Sequence, residues 1–214
     1  MTSTSTGRAM GSHQSARAET TTWLTPPSIL DALGPFDLDP CSPLDRPWDT
    51  AAKHYTIEDD GLAQQWGGFV WCNPPYGAEA AVWLERMAEH GNGIALIFAR
   101  TETRMFFDHV WGKASSLLFI EGRLHFHYLD GTRAKANSGA PSVLVGYGDE
   151  AYQRLCTSGI AGTIIMPGSQ TVITGSSPQY DNGGWLPNAG PVEVVNTGPT
   201  QILGRQNRWH KEKK

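Results

Sequence analysis

Cysteine is scarce in this 214-residue sequence: Cys41, Cys72 and Cys156 are the only three, with no CxxC pair among them. An odd, widely spaced set fits a reducing compartment better than a disulfide framework or a structural zinc site. Long apolar runs are missing too. Nothing approaches the roughly 18 residues needed to cross a bilayer, and residues 1–20 lack the apolar stretch of a secretory signal. A soluble, cytoplasmic protein with no membrane partner and no metal is therefore expected. Positive charge is also short: 17 Lys and Arg against 21 Asp and Glu leave a net −4. This rules out a polycation that grips nucleic acid through bulk charge, although local basic strips survive such a sum.

The deficit is uneven. Residues 1–150 carry 11 basic and 18 acidic residues, net −7, whereas 151–214 carry 6 and 3, net +3. With 39% hydrophobic residues, the chain can bury one core of ordinary domain size. The Ser/Thr-rich stretch 1–20 contains Arg8 and Arg17, but Gly7, Gly11 and a lack of large apolar residues deny it an amphipathic face. It is expected to be a disordered tail. Residues 21–166 then form the folded domain, and 167–214 a flexible basic tail rich in Gly, Pro and Asn.

Within the domain, strand patterns alternate with helix patterns. Pro26-Pro27 opens a short helix carrying Ile29, Leu30 and Leu33, which Gly34 stops. Residues 36–40 read as a brief strand ended by proline, and 41–66 as polar and irregular. An apolar strand over 69–72 runs into Asn73-Pro74-Pro75-Tyr76-Gly77. A helix follows with Val82, Trp83, Met87 and Ala88 along one face. A strand over 94–99, a short helix over 105–111 and a strand over 117–120 repeat the pattern. Residues 123–128 alternate before a turn at Asp130-Gly131, and 142–147 and 162–166 are further strands. The order predicts a single Rossmann-like α/β domain, its sheet mainly parallel with an antiparallel edge.

The chemistry-bearing feature is Asn73-Pro74-Pro75-Tyr76, set where a strand ends and a helix begins. Ligands of open α/β sheets bind outside the carboxyl ends of strands. The nitrogen of adenine's N6 amine is conjugated with its ring and is a poor nucleophile. Hydrogen bonds from its two protons to the Asn73 side-chain oxygen and the Pro74 carbonyl would favour lone-pair character and aim the nitrogen at an electrophile. Pro74 and Pro75 fix φ and add no competing donors, while Tyr76 offers an aromatic face for an extruded base. The bland alternative is a proline turn that merely ends a strand.

This motif resembles the [DNS]-P-P-[YFW] turn of S-adenosylmethionine-dependent amino methyltransferases. The wider series Trp23-Leu24-Thr25-Pro26, Phe36-Asp37-Leu38-Asp39-Pro40-Cys41, Asp60-Gly61-Leu62, Trp66, Cys72 to Gly77 and Gly122-Arg123-Leu124-His125-Phe126 is similar to the phage-type Dam DNA N6-adenine methyltransferases. The resemblance spans about residues 20–150. It implies transfer of methyl from S-adenosylmethionine to adenine N6 in double-stranded DNA, by a phage- or prophage-encoded enzyme inside a bacterial host cell and in a restriction-modification setting. The catalytic turn is then Asn73, Pro74, Pro75 and Tyr76. The cofactor residues are Trp23, Thr25, Pro26, Asp37, Asp39, Pro40, Cys41 and Asp60, and the chain is expected to be monomeric.

One departure stands out. The glycine-rich cofactor loop of most such enzymes is missing, and Asp39-Pro40-Cys41-Ser42-Pro43 occupies its place. Asp37 and Asp39 could instead serve as turn or cap carboxylates, and Asp59 and Asp60 could simply solvate a loop. Phosphate attraction falls to Arg100, Arg104, Arg123, Arg133, Lys135 and the basic tail, with Arg123 equally suited to capping a sheet edge. His125 and His127 read as the wetter face of a strand rather than as metal ligands. Two other functions share the motif: methylation of a protein glutamine amide, and nucleic-acid binding without catalysis. No separate recognition domain is evident, so loops 41–66 and 129–140 must supply sequence preference, or that preference is relaxed.

Overall fold

A computed structural model describes residues 22–167, together with 171–174, 180–181, 184–185 and 193–196. The chain divides into two units, 1–167 and 168–214. The first holds helix α1 (Pro27–Leu33), strands β1 (Leu38–Asp39), β2 (Lys53–His54) and β3 (Val70–Cys72), helix α2 (Ala80–His90) and β4 (Gly93–Phe98). There follow α3 (Arg104–Phe106), which runs on into a π-helical turn over Phe107–Trp111, then β5 (Ser116–Ile120), β6 (Ser142–Tyr147), α4 (Asp149–Thr157) and β7 (Gly162–Ile165). The expected N-terminal tail at 1–20 lies outside the described residues.

Seven strands form one sheet in the order β2-β1-β3-β4-β6-β5-β7. β2, β1, β3 and β4 run parallel, whereas β6 pairs antiparallel with both β4 and β5, and β5 antiparallel with β7. Antiparallel pairing thus makes up half of the sheet, where only an edge was expected. The reason is topological: β6 returns between β4 and β5, beside the middle of the sheet. β2 and α4 were not foreseen. β2 is two residues long inside a polar segment, and α4 shows its buried side only through Ala151 and Leu155. Residues 123–128 do not join the sheet; there His127 alone forms bridges, to Leu24 and to Arg133.

Alternation along the strands sorts side chains onto two faces. Val70, Cys72, Ala95, Ile97, Val143 and Val145 pack with Leu84 and Met87 of α2 and with Phe106 and Val110 beyond them. Trp71, Ile94, Leu96, Leu118 and Leu144 pack with α1 and with Leu155 of α4 on the other side. Both faces are covered, which is why β3 and β4 read as continuous apolar runs rather than alternating ones. Each fully buried side chain of this size contributes roughly 1.5–3 kcal/mol. On α2 the buried residues are Ala80, Leu84 and Met87. Val82, expected on that face, is half exposed.

The second unit contains β8 (Thr171–Thr174) paired antiparallel with β11 (Glu193–Asn196), and β9 (Tyr180–Asp181) paired with β10 (Gly184–Trp185). These pairs lie within 167–214, the stretch expected as a flexible basic tail, most of which is outside the described residues.

Candidate functional site

β1 has β2 on one side and β3 on the other. The chain consequently leaves the carboxyl ends of β1 and β3 in opposite directions, which opens the crevice where α/β sheets hold ligands. Asp39-Pro40-Cys41 ends β1 and Cys72-Asn73-Pro74 ends β3. Proline without an N–H stops the β3–β4 ladder at the Cys72–Ala95 pair. The two chain ends touch, with Cys41 Sγ lying 3.7 Å from the Asn73 carbonyl oxygen.

Asn73 is oriented from outside the sheet. Its Nδ2 donates to the Trp23 carbonyl at 3.0 Å. A carbonyl can only accept, so this bond fixes which end of the amide is nitrogen. Asn73 Oδ1 is buried and accepts nothing. No hydrogen bond reaches the Pro74 carbonyl among the described residues. Both oxygens expected to receive the amine protons are therefore free.

Tyr76 packs with the cluster on the α1 and α4 face of the sheet. Its ring stacks on Phe98 at the end of β4, with centroids 4.3 Å apart and planes at 11°, and meets Phe126 edge-on at 6.1 Å. Burial pushes the phenol well above its ordinary pKa, and the hydroxyl has no partner. Thr25 Oγ1, on the segment that holds Asn73, is likewise buried without a partner, as is His127 Nδ1. Unsatisfied buried polar atoms are uncommon and call for an explanation. Here four of them sit on neighbouring segments, tied together by the Asn73–Trp23 bond, the Leu24–His127 bridge and the Tyr76–Phe126 contact.

Asp39 is the buried carboxylate of the group. Thr50 Oγ1 donates to its Oδ2 at 2.5 Å and the Cys41 N–H to its Oδ1 at 3.0 Å. Burial raises its pKa to about 6, against the opposing pull of those two bonds and of Arg46. His54 steadies the same loop, its Nε2 accepting from the Thr50 and Ala51 N–H groups at 3.2 Å each. Burial and then Arg46 lower the His54 pKa, in keeping with a neutral ring that accepts there.

Gly61 explains the Asp60-Gly61-Leu62 motif. A Cβ at this position would stand 1.9 Å from the Pro40 carbonyl oxygen and 3.3 Å from Trp83, so only glycine lets the 56–65 loop lie against Pro40. Trp66 secures the loop by donating from Nε1 to the Gly61 carbonyl at 2.8 Å and stacking on Trp83. Asp59 is used within the loop, where its Oδ2 accepts from the Thr56 N–H and hydroxyl. The Asp60 carboxylate makes no bond among the described residues, and its backbone is left-handed at φ 51°.

Asp37 lies apart from this cluster. It is exposed at the start of β1, and its Oδ2 accepts from the Phe69 N–H at 2.6 Å. Asp37 helps line a cavity of about 310 Å³ with Lys53, Tyr55 and Trp66, which none of the Asn73 turn residues borders. The chemistry of the orphaned polar atoms, rather than this hollow, marks the candidate site.

Of the expected phosphate contacts, Arg100 follows β4, Arg104 opens α3, and Arg123, Arg133 and Lys135 lie between β5 and β6. Arg100, Arg123, Arg133 and Lys135 are exposed and make no ion pair among the described residues. Arg104 is engaged, its Nε lying 2.8 Å from Asp108 Oδ2. The turn at Asp130-Gly131 forms as expected, with Gly131 at φ 84°. A Cβ on Gly131 would meet Pro47 at 3.2 Å, and Trp48 meets the His127 ring edge-on at 5.5 Å. Loops 41–52 and 123–138 thus abut. His125 is turned inward, its Nδ1 lying 3.1 Å from the Ala134 carbonyl. Phe98, Phe126, Trp48 and Thr50 were not expected at the site; only Phe126 had left a trace, in the alternation of 123–128. No cluster of three or more potential metal ligands occurs among the described residues, and none of their helices is long and apolar enough to cross a membrane.

A sheet covered on both faces, with an Asn-Pro-Pro-Tyr turn and a buried carboxylate at its carboxyl edge, defines an α/β protein whose orphaned polar atoms gather at that edge. The family described as DNA N-6-adenine-methyltransferase (Dam) matches residues 12–156, and the chain belongs to that family. The membership indicates methyltransferase action on adenine in DNA. Searches of curated proteins and of solved structures return no match.

Proposed function

We propose that this protein transfers a methyl group from S-adenosylmethionine to the N6 of adenine in double-stranded DNA, by direct in-line displacement on a base extruded from the duplex. The observation that carries this reading is Asn73, with Nδ2 tied to Trp23 and Oδ1 free beside the free Pro74 carbonyl. The pair would accept both N6 protons, orient the nitrogen and strengthen its lone pair, with no prior deprotonation. Tyr76, backed by Phe98 and Phe126, would support the extruded base.

When bound, S-adenosylmethionine supplies a methyl group on a cationic sulfonium. The residues present suit such a ligand. Thr25 Oγ1 is buried and unpartnered, Asp39 is a buried carboxylate, and the Asp60 carboxylate is unengaged. Trp23, Pro26, Pro40 and Cys41 would complete the wall. A cation or hydroxyl near Asp39 would offset the burial that raises its pKa. Where relatives use a glycine-rich loop, Gly61 against Pro40 would bring the 56–65 loop to the cofactor.

Arg100, Arg123, Arg133 and Lys135 would meet phosphates, and the abutting loops 41–52 and 123–138 would face the bases. The protein would act on DNA in the cytoplasm of its host. The test is radiolabelled methyl transfer with duplex DNA and protein offered in parallel. The wild type should label adenine in DNA alone, and Asn73→Ala should lower the rate by about 10²–10³-fold. Undiminished methylation by the variant would overturn the assignment.

A further inference from the structure

Asn73 is one of three residues that the motif tolerates, and the structure gives a reason why this chain needs the amide. The peptide joining Trp23 to Leu24 is used at both ends. Its N–H donates to the His127 carbonyl at 2.9 Å and its C=O accepts from Asn73 Nδ2 at 3.0 Å. In a planar trans peptide these two groups point in opposite directions, so anchoring the N–H to His127 aims the carbonyl at Asn73. A second bond, from the His127 N–H to the Leu24 carbonyl at 3.0 Å, locks the register. The Trp23 ring is held against Tyr128, with centroids 5.3 Å apart. The result is a chain of dipoles running from His127 through the Trp23–Leu24 peptide to the Asn73 amide and ending on the unpartnered Oδ1. Such chains polarise cooperatively in a buried setting.

We propose that the Trp23–Leu24 peptide is the positioning group of the amine site: it fixes Asn73 by demanding a donor there, so that in this chain an ionised Asp cannot replace Asn73. The inference rests on the methyltransferase reading above. An aspartate at position 73 would set a carboxylate oxygen against the Trp23 carbonyl oxygen, two acceptors with no proton between them, and the side chain would swing away. A protonated Asp restores the arrangement, because its O–H donates to Trp23 while its other oxygen stays free for the amine. The titratable groups on the elements that meet here are Asp39 and Cys41 at the end of β1, Cys72 and Tyr76 on the strand and turn of Asn73 itself, and His127 and Tyr128 on the clamping segment. A carboxyl in so buried a setting has its pKa raised by desolvation, which brings its protonation into a workable range.

The experiment measures turnover of wild type and N73D side by side from pH 8.5 to 6, with melting curves to establish that both are folded. The ratio of N73D to wild-type turnover should rise about tenfold for each unit by which pH is lowered, until the new carboxyl is half protonated; a purely structural role for Asn73 gives no such trend. Because wild type is the reference at every pH, titration common to both proteins cancels. A flat ratio overturns the proposal, whether N73D is fully active or inactive throughout. Should N73D not fold, NMR of the wild type decides. Its Asn73 carboxamide protons should be well separated and protected from exchange, and rapid exchange like that of a surface Asn would overturn the proposal. Failure of the wild type to methylate adenine would instead sink the function itself.

Discussion

Replacing Asp39 by Asn tests how the candidate site trades stability for binding. The side chain is 3% exposed, and burial raises its pKa from 3.8 to about 6. At about 1.4 kcal/mol for each pH unit, that gap amounts to about 3 kcal/mol by which the fold disfavours the ionised carboxylate. The folded value lies above the unfolded one, so the folded state binds this proton more tightly. Its contribution to stability is fully present below about pH 4, is lost as pH rises through about 6, and is level above about 7. Asn is nearly isosteric and uncharged. Its amide oxygen can accept from the Cys41 N–H while its Nδ2 donates to Thr50 Oγ1, the hydroxyl reversing its role. Asp39→Asn should therefore stabilise the protein by up to about 3 kcal/mol at pH 8, with the gain shrinking below pH 6 and gone near pH 4. Urea unfolding at pH 8, 6 and 4.5 reads this directly. The same variant should bind S-adenosylmethionine at least about tenfold more weakly by calorimetry, because the carboxylate is what a cationic ligand gains from the site. A variant destabilised equally at all three pH values would refute the account of Asp39 as a charge held at a cost.

Two further outcomes are expected. Gly61→Ala puts a methyl group 1.9 Å from the Pro40 carbonyl oxygen, so the 56–65 loop must withdraw; a loss of about 1–3 kcal/mol in thermal unfolding and weaker cofactor binding should follow. Removing Arg123, Arg133 and Lys135 together, each to Ala, should leave the melting temperature unchanged and flatten the dependence of log affinity on log salt by about 2–3 in duplex-DNA anisotropy. Arg104→Ala, whose guanidinium is already bonded to Asp108, should change that slope far less.

Asp39 also bears on the missing glycine-rich loop. Such a loop lets backbone N–H groups approach a ligand closely. Here the tight turn after β1 is held instead by the Asp39 side chain on the Cys41 N–H, with Thr50 and His54 behind it. Close approach of backbone to Pro40 comes from a different stretch, at Gly61. A pattern search along 39–43 could not have found this, because the glycine in question lies 22 positions beyond Asp39 and meets Pro40 only in the folded chain.

The Asn-Pro-Pro-Tyr turn was legible as a turn because its residues are local. Asn73 to Tyr76 directly follow an apolar strand, and proline geometry acts on its immediate neighbours. Helices α1 and α2 were legible for the same reason, with Pro27 at the start of α1 and a left-handed Gly91 ending α2. β2 was not, since two residues carry no period. Nor was the position of β6 between β4 and β5, because an apolar run that is buried on both faces has the same composition whichever way it points. Asp37 and Asp39 are two residues apart and looked equivalent, yet one lies exposed at the start of β1 and the other is buried at its end.

The sequence by itself determined the alternating order of elements, the acidic balance of the domain and the chemistry of the Asn-Pro-Pro-Tyr turn, all of which depend on neighbours within a few residues. Tertiary structure decided which distant groups meet that turn. It brought the Trp23 carbonyl 50 positions along the chain to orient Asn73, set Phe98 under Tyr76 and placed Thr50 on Asp39. These contacts are made by burial and by matched donors and acceptors across the sheet's carboxyl edge, and neither exists until the chain has folded.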